Sequence, residues 1–143
     1  MAAVTNNPLL RAFWKFHRRL LALSGGKLGT RLGPGRQLLL ITRGRKSGEP
    51  RPVALSYVED EGHWVVVATN VGEDRHPAWW LNIEADPHVE VLVNGQRLAV
   101  TARAADGEER TRLYQRFIDI DDGYAEYVNR SKRTIPVVVL ERS

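Results

Sequence analysis

Ten consecutive residues, Thr42-Arg43-Gly44-Arg45-Lys46-Ser47-Gly48-Glu49-Pro50-Arg51, concentrate four positive charges, two glycines and a serine. Glycine lets a backbone turn tightly and present its N–H groups, while Arg and Lys add charge-assisted donors. A loop of this composition suits a phosphate or a carboxylate. It is not a nucleotide-binding P-loop, because Arg45 stands before Lys46 where that motif needs glycine. No glycine-rich fingerprint opens a strand–helix–strand unit either. Taken alone, the same spelling also describes a basic surface hairpin.

A second cluster follows a strongly apolar run. It comprises Thr69-Asn70-Val71-Gly72 and then His76-Pro77-Ala78-Trp79-Trp80-Leu81-Asn82. Adjacent tryptophans on a short helix send one ring inward and the other elsewhere. They read either as core plus loop cover or as a wall for a flat ring system. His17, His63, His76 and His88 have no metal-ligand spacing and the chain has no cysteine, so no metal site is expected. No serine sits in a nucleophile elbow, and no carboxylate pair stands out for acid–base work. An anion loop and an aromatic wall without hydrolytic machinery point to a bound cofactor that brings its own chemistry.

These residues must be held by the elements around them. Residues 8–24 have the pattern of an amphipathic helix, with Leu9, Phe13, Phe16, Leu20 and Leu23 on one stripe. Gly25-Gly26 ends it, and a loop reaches Arg36. Short apolar runs at Gln37–Thr42, Pro52–Val58, His63–Thr69, His88–Val93, Arg97–Arg103 and Ile135–Leu140 predict six strands. Asp60-Glu61-Gly62 and Asn94-Gly95 read as hairpin turns. Such short turns favour antiparallel pairing and a barrel or sandwich over a doubly wound sheet. Three helices are expected between strands: Pro77–Ala85, one capped by an Asp106/Glu109 box, and one over Gly123–Asn129 with Tyr124 and Tyr127 on one face. The fold class is α+β, a β-barrel with a basic N-terminal helix and loop at 1–36 and a cofactor-binding unit at 37–143.

With 143 residues and 43% apolar content, the chain can bury a substantial core. No apolar run approaches the length of a membrane-spanning helix, and no secretory leader is evident. Together with the absent cysteines, this suggests a cytoplasmic protein. The net charge of +4 is unevenly placed, because residues 1–36 carry seven Lys/Arg and no acid. A basic arm of this kind meets something anionic or is a solvated face. Peripheral membrane contact through the N-terminal helix is one expectation.

In order and spacing these motifs resemble the deazaflavin (F420)-dependent nitroreductase and quinone-reductase family, on the split β-barrel shared with FMN-binding oxidases. Gly44–Arg51 matches its Gly-Arg-Lys-Ser/Thr-Gly-x-Pro-Arg pattern, and Pro77–Ile83 matches its Pro-x-Trp-Tyr/Trp-x-Asn-Leu/Ile pattern. Asp86-Pro87 and Arg133-Thr134-Ile135-Pro136 fit as well. The resemblance implies that coenzyme F420 is the cofactor and that hydride passes to a quinone-like or other conjugated small-molecule acceptor. It implies that Arg45, Lys46 and Ser47 hold the cofactor phosphate, with Arg51 at the phosphate or the acidic tail. Ala68 and Thr69 would lie by the deazaflavin ring, Asn70 beside them, and Trp79 and Asn82 nearby. Tyr124 and Tyr127 would line the acceptor pocket, either one able to protonate the reduced acceptor. Asn70 stands where some members carry lysine, and Asp121 where nitro-reducing members carry tyrosine.

Three alternatives have different signatures. An FMN-binding split-barrel enzyme would use the same phosphate loop but purify yellow. A fatty-acid- or lipid-binding module would use the barrel as a container. A nucleic-acid module would explain the basic pI near 9.8, but the interleaved surface aromatics of an RNA-binding sheet are missing, and no nucleic-acid partner is expected.

Overall fold

The computed structural model describes residues 36–70, 73–130 and 133–142. The expected helix at 8–24 and its connecting loop lie outside the described residues, as do Val71 and Gly72. The six described strands are β1 (Arg36–Arg43), β2 (Pro50–Asp60), β3 (His63–Val67), β4 (His88–Val93), β5 (Gln96–Ala104) and β6 (Val137–Arg142). They close into a barrel in the order β1-β2-β3-β6-β5-β4, every neighbouring pair antiparallel. The hairpins form where the turn residues predict. Asn94 and Gly95 have φ of 51° and 76°, the left-handed geometry that a two-residue turn between right-twisted strands requires.

Three helices fill the connections: α1 (Ala78–Ala85) between β3 and β4, then α2 (Gly107–Ile120) and α3 (Gly123–Arg130) between β5 and β6. The barrel has apolar residues on both faces of several strands, so those strands read as unbroken apolar runs rather than alternating ones. Inside are Leu38 and Leu40, Trp64 and Val66, Val138 and Leu140. Outside, Val65, Val67, Val137 and Val139 lie under Leu113 and Phe117 of α2.

Two local expectations need correction. Trp79 and Trp80 are both buried, and both join the barrel-interior cluster. A helix that packs into the barrel core buries a wide arc of its surface, so neighbouring rings need not part. The capping box at α2 does not form. Asp106 makes no side-chain cap bond, and Glu109 instead holds Arg103 through two bonds of 2.7 and 2.9 Å. A bidentate ion pair, with its charge-assisted bonds, is the stronger use of that carboxylate.

The feature that matters for a site is where β2 loses its neighbour. Against β1 it pairs along eight residues, from Arg36↔Tyr57 to Arg43↔Pro50. Against β3 it pairs only at Val58↔Val65, Glu59↔Trp64 and Asp60↔His63. On its other edge β3 pairs with β6 from Trp64 to Val67, and past Val65 that is its one bonded partner among the described strands. Among the described residues no strand pairs with β2 on that side between Arg51 and Tyr57, and Pro52 to Ser56 are only half-buried. This is the split in the barrel. Continued past its last bonded pair, the β2–β3 register sets Thr69 level with Ala54 across the gap.

Candidate functional site

The loop between β1 and β2 is built tightly by its own backbone. Gly44 N–H donates to Glu49 O, and Gly48 N–H to Gly44 O, both at 2.8 Å. A Cβ on Gly44 would stand 2.7 Å from Ser47 Oγ, too close for an unshifted loop. Ser47 Oγ accepts from Glu49 N–H (3.1 Å) and from the Arg51 guanidinium (3.2 Å).

Asn82 of α1 ties this loop down from below. Its Oδ1 accepts from the backbone N–H and the guanidinium of Arg45, each at 3.2 Å. Its Nδ2 donates to Thr42 Oγ1 at 3.0 Å. Both Asn82 and Thr42 are buried, so a polar pair stands in an apolar surrounding with its bonds made. That satisfaction is what lets the pair remain inside.

Between the loop and α1 opens a cleft of about 340 Å³, walled by Arg45, Lys46, Ser47 and Arg51 on one side and by Trp79 and Asn82 on the other. It continues onto Pro52 and Val53, the near end of the β2 edge that no described strand pairs. The cleft thus joins a cationic rim to an apolar floor. From Arg51 the edge runs about 17 Å to Ser56 at the usual rise per strand residue.

At the far end stand the tyrosines of α3. The Tyr124 hydroxyl shares a hydrogen bond with the Ser56 side chain, which Gln37 Nε2 also reaches at 2.5 Å. The Tyr124 ring packs edge-on to Phe117 (5.4 Å) and to Tyr127 (5.6 Å). Burial pushes the Tyr124 hydroxyl above the ordinary phenol range, against the opposing pull of its Ser56 bond. Tyr114, which donates to Tyr124 O at 2.5 Å, is pushed up to about 12 by burial. These hydroxyls keep their protons at neutral pH, the state a proton donor needs.

A family model described as F420H(2)-dependent quinone reductase matches residues 11–142. The chain belongs to that family. An F420H(2)-dependent quinone reductase of Mycobacterium tuberculosis is 35% identical, across 90% of this chain and 89% of the relative. A solved F420-H2 dependent reductase is 38% identical with a TM-score of 0.68, over 73% of this chain and 93% of its own. Another solved structure, described as a domain-swapped dimer, is 33% identical with a TM-score of 0.70, over 92% and 99%. The split-barrel architecture expected from the motifs is therefore the architecture of this family.

The fold brings six of the expected site residues to one cleft: Arg45, Lys46, Ser47, Arg51, Trp79 and Asn82. Asn82 differs from the rest, since both ends of its amide are occupied by Arg45 and Thr42. Ala68, Thr69 and Asn70 are not in the cleft walls. They stand at the other lip of the split, where Ala68 N–H donates to Pro136 O at 3.0 Å. Asn70 has a φ of 47°, and its side chain donates to Arg75 O at 2.9 Å. It serves as a turn residue, a common use of asparagine. Tyr124 and Tyr127 also lie outside the cleft walls, with Tyr124 bridging to β2 at Ser56.

Two residues that support the site have no role assigned to them by the sequence, although Thr42 opens the anion loop and Arg133 opens one of the family motifs. Thr42 looks like the end of an apolar strand, and only the fold reveals it as the acceptor for Asn82. Arg133 stands in the sequence only as the first residue of the Arg-Thr-Ile-Pro segment, and the fold gives it four partners.

The donor set of the cleft fits the phosphate of F420. Arg45 and Lys46 are exposed cations at the rim, and Ser47 offers a hydroxyl within a glycine-bent backbone. At Gly44 a side chain would fill the space that keeps this loop folded onto itself.

Proposed function

We propose that this protein reduces quinone-like acceptors with F420H2, gripping the cofactor's phosphate at Arg45, Lys46 and Ser47 and its ring in the split beside β2. The observation that carries this reading is one cleft in which a cationic loop faces Trp79 and opens onto the β2 edge that no described strand pairs. When bound, the reduced deazaflavin supplies a hydride from its ring C5.

The chain's own residues bind, orient and shield. Arg45 and Lys46 neutralise anionic oxygens through charge-assisted bonds, which are about twice as strong as neutral ones. Arg51 steadies Ser47 and reaches toward the phosphate or the acidic tail. Trp79 and Val53 give the ring an apolar contact, and Thr69 with Ala68 forms the opposite lip. Asn70 closes the turn behind that lip. Tyr124 and Tyr127 wall the acceptor end, where a protonated hydroxyl can deliver the proton that follows the hydride. Orientation and exclusion of water together account for several kcal/mol of rate without a dedicated base.

Fluorescence titration with F420 tests the reading. Lys46→Ala should weaken F420 binding by about 1–3 kcal/mol, the scale of a lost charged hydrogen bond. Far-ultraviolet circular dichroism should not change. Equal affinity in the variant and the original would remove Lys46 from the cofactor site. Parallel titrations with FMN and with fatty acids separate the two rival occupants of the same fold.

We place the protein in the cytoplasm, with its basic arm at anionic lipid where a lipophilic quinone is met. The support is the seven-cation segment and its apolar stripe, Leu9 to Leu23. Salt-sensitive sedimentation with anionic vesicles, lost on deleting residues 1–30, is the expected result. Identical sedimentation of both forms would end this part.

A further inference from the structure

Behind the lip at Ala68–Thr69 stands Arg133, which neither the loop nor the tryptophan helix calls for. One of its terminal nitrogens donates to both Ala68 O and Thr69 O, each at 2.9 Å. Its Nε donates to Glu73 O at 3.0 Å. The other terminal nitrogen meets His76 Nδ1 at 2.9 Å. A planar guanidinium with donors in fixed directions can serve four such acceptors, and a lysine ammonium cannot.

The four acceptors come from consecutive parts of the path that leads into the cleft. Ala68 and Thr69 end the β3 arm, and Glu73 lies in the connection. His76 precedes Pro77 and α1, the helix that carries Trp79 and Asn82. Arg133 itself leads into β6. One side chain therefore ties the lip of the split and the root of α1 to the segment that enters β6, the strand bonded to β3. Partial burial costs this cation solvation, which draws its pKa below the usual arginine range. A desolvated charge of this kind is retained where its donors are engaged.

We propose that Arg133 is a positioning residue for the ring of the cofactor, setting the width of the split by fixing the Ala68–Thr69 carbonyls and the root of α1. It rests on the ring placement proposed above. Its consequence is selective. The anion loop is closed by its own backbone bonds, and the Asn82 amide beneath it lies a full turn into α1, beyond the root that Arg133 reaches, so loss of Arg133 loosens the ring slot and leaves the phosphate grip intact.

The test compares two ligands, F420 and the deazaflavin riboside that lacks its phosphate and tail. Fluorescence titrations use Arg133→Lys and Arg133→Gln, each well below its own Tm. Both variants should weaken both ligands by the same factor, roughly tenfold for the loss of a charged hydrogen bond. At saturating F420H2 and a naphthoquinone, kcat should fall by up to about a hundredfold as the reacting atoms lose register. A residue that merely supports the fold would lower Tm and leave affinity and kcat per folded molecule unmoved, and that result overturns the proposal. Loss confined to F420 itself would also overturn it, placing Arg133 at the phosphate instead. Failure of the unaltered protein to bind F420 would sink the cofactor reading and this inference together. Unaltered F420 binding in a well-folded Arg133→Lys sinks the inference alone. If both Arg133 variants misfold, His76→Phe removes one of the four acceptors and leaves the three carbonyl bonds. It should then show the same parallel weakening, about threefold, and parity with the unaltered protein would count against the proposal.

Discussion

The two ends of this site use positive charge in opposite ways. In the loop after β1, Arg45 and Lys46 display their charges at the rim of a cleft, on a backbone bent by Gly44 and Gly48. Across the split, Arg133 turns its charge inward and spends its donors on backbone carbonyls and His76. A displayed cation is available to an anionic ligand, and an inward one fixes geometry. By residue type they look alike, since each is a basic residue next to another one, Arg45 before Lys46 and Arg133 after Lys132. The difference arises from what the fold sets beside each one: open cleft in one case, strand-end carbonyls in the other.

The contrast breaks most severely at Asn82, the pin between displayed charge and buried support. Asn82→Leu keeps the apolar bulk but strips Thr42 Oγ1 and the Arg45 N–H of their partner. Each buried group left without a bond costs about 1–3 kcal/mol. A stability loss of about 2–4 kcal/mol is expected in urea unfolding, together with weaker F420 binding as the loop drifts from α1. If stability falls but F420 affinity holds, the loop is shaped by its own glycine-bonded backbone and not by the helix beneath it.

A middle-sized effect lies at the opposite lip. Thr69→Leu inserts bulk at the edge of the split, and overpacking of this kind costs about 1–3 kcal/mol. The cost should appear in F420 affinity and in quinone-dependent oxidation of F420H2, with little change in Tm because Thr69 is only half-buried. Binding unaffected by the added bulk would mean that the ring does not lie against this lip.

The tyrosine end predicts a pH dependence of similar size. The folded pKa of Tyr114 is raised to about 12, against about 10 in an unfolded chain. The folded state therefore holds the proton more tightly. Its contribution is complete below pH 10 and is lost as pH rises from about 10 to 12, by about 2–3 kcal/mol in all. Tyr114→Phe should flatten that alkaline loss in urea midpoints measured between pH 9 and 12. An unchanged alkaline slope would show that Tyr114 ionises as freely in the fold as outside it.

How much of this was legible beforehand follows from which contacts are local. The anion loop was readable because its chemistry is written in consecutive residues, and so were the hairpins at Glu61-Gly62 and Asn94-Gly95. The antiparallel barrel followed from those turns. The capping box failed because Glu109 had a better partner in Arg103, on a strand that pairs elsewhere in the fold. The paired tryptophans were misjudged because a helix packed into a barrel has no simple inside and outside. The split barrel is expected only through the family motifs, and its position is not readable in the sequence, since it depends on β3 leaving β2 after three residue pairs while staying bonded to β6 along its other edge. The partners of Arg133 and Thr42 are unreadable for the same reason: they lie 64 or 65 and 40 residues away.

The smallest expected effect is at Arg51, which stands between the two uses of charge. It lines the cleft, yet it already donates to Ser47 Oγ and pairs with Glu49 at 3.5 Å. Both members of that pair are about half exposed, 55% and 51%, and exposed pairs contribute about 0–1 kcal/mol. Arg51→Ala should therefore change stability by no more than about 0.5 kcal/mol. Its effect on F420 binding should be smaller than that of Lys46→Ala, because Arg51 must first give up part of its hold on Glu49. That effect should also shrink as salt is raised through the range where surface charges are screened. Titrating both variants at low and high salt sets the order. A larger loss for Arg51 than for Lys46 would reverse the assignment, making Arg51 the principal phosphate ligand and leaving Lys46 to the cofactor's acidic tail.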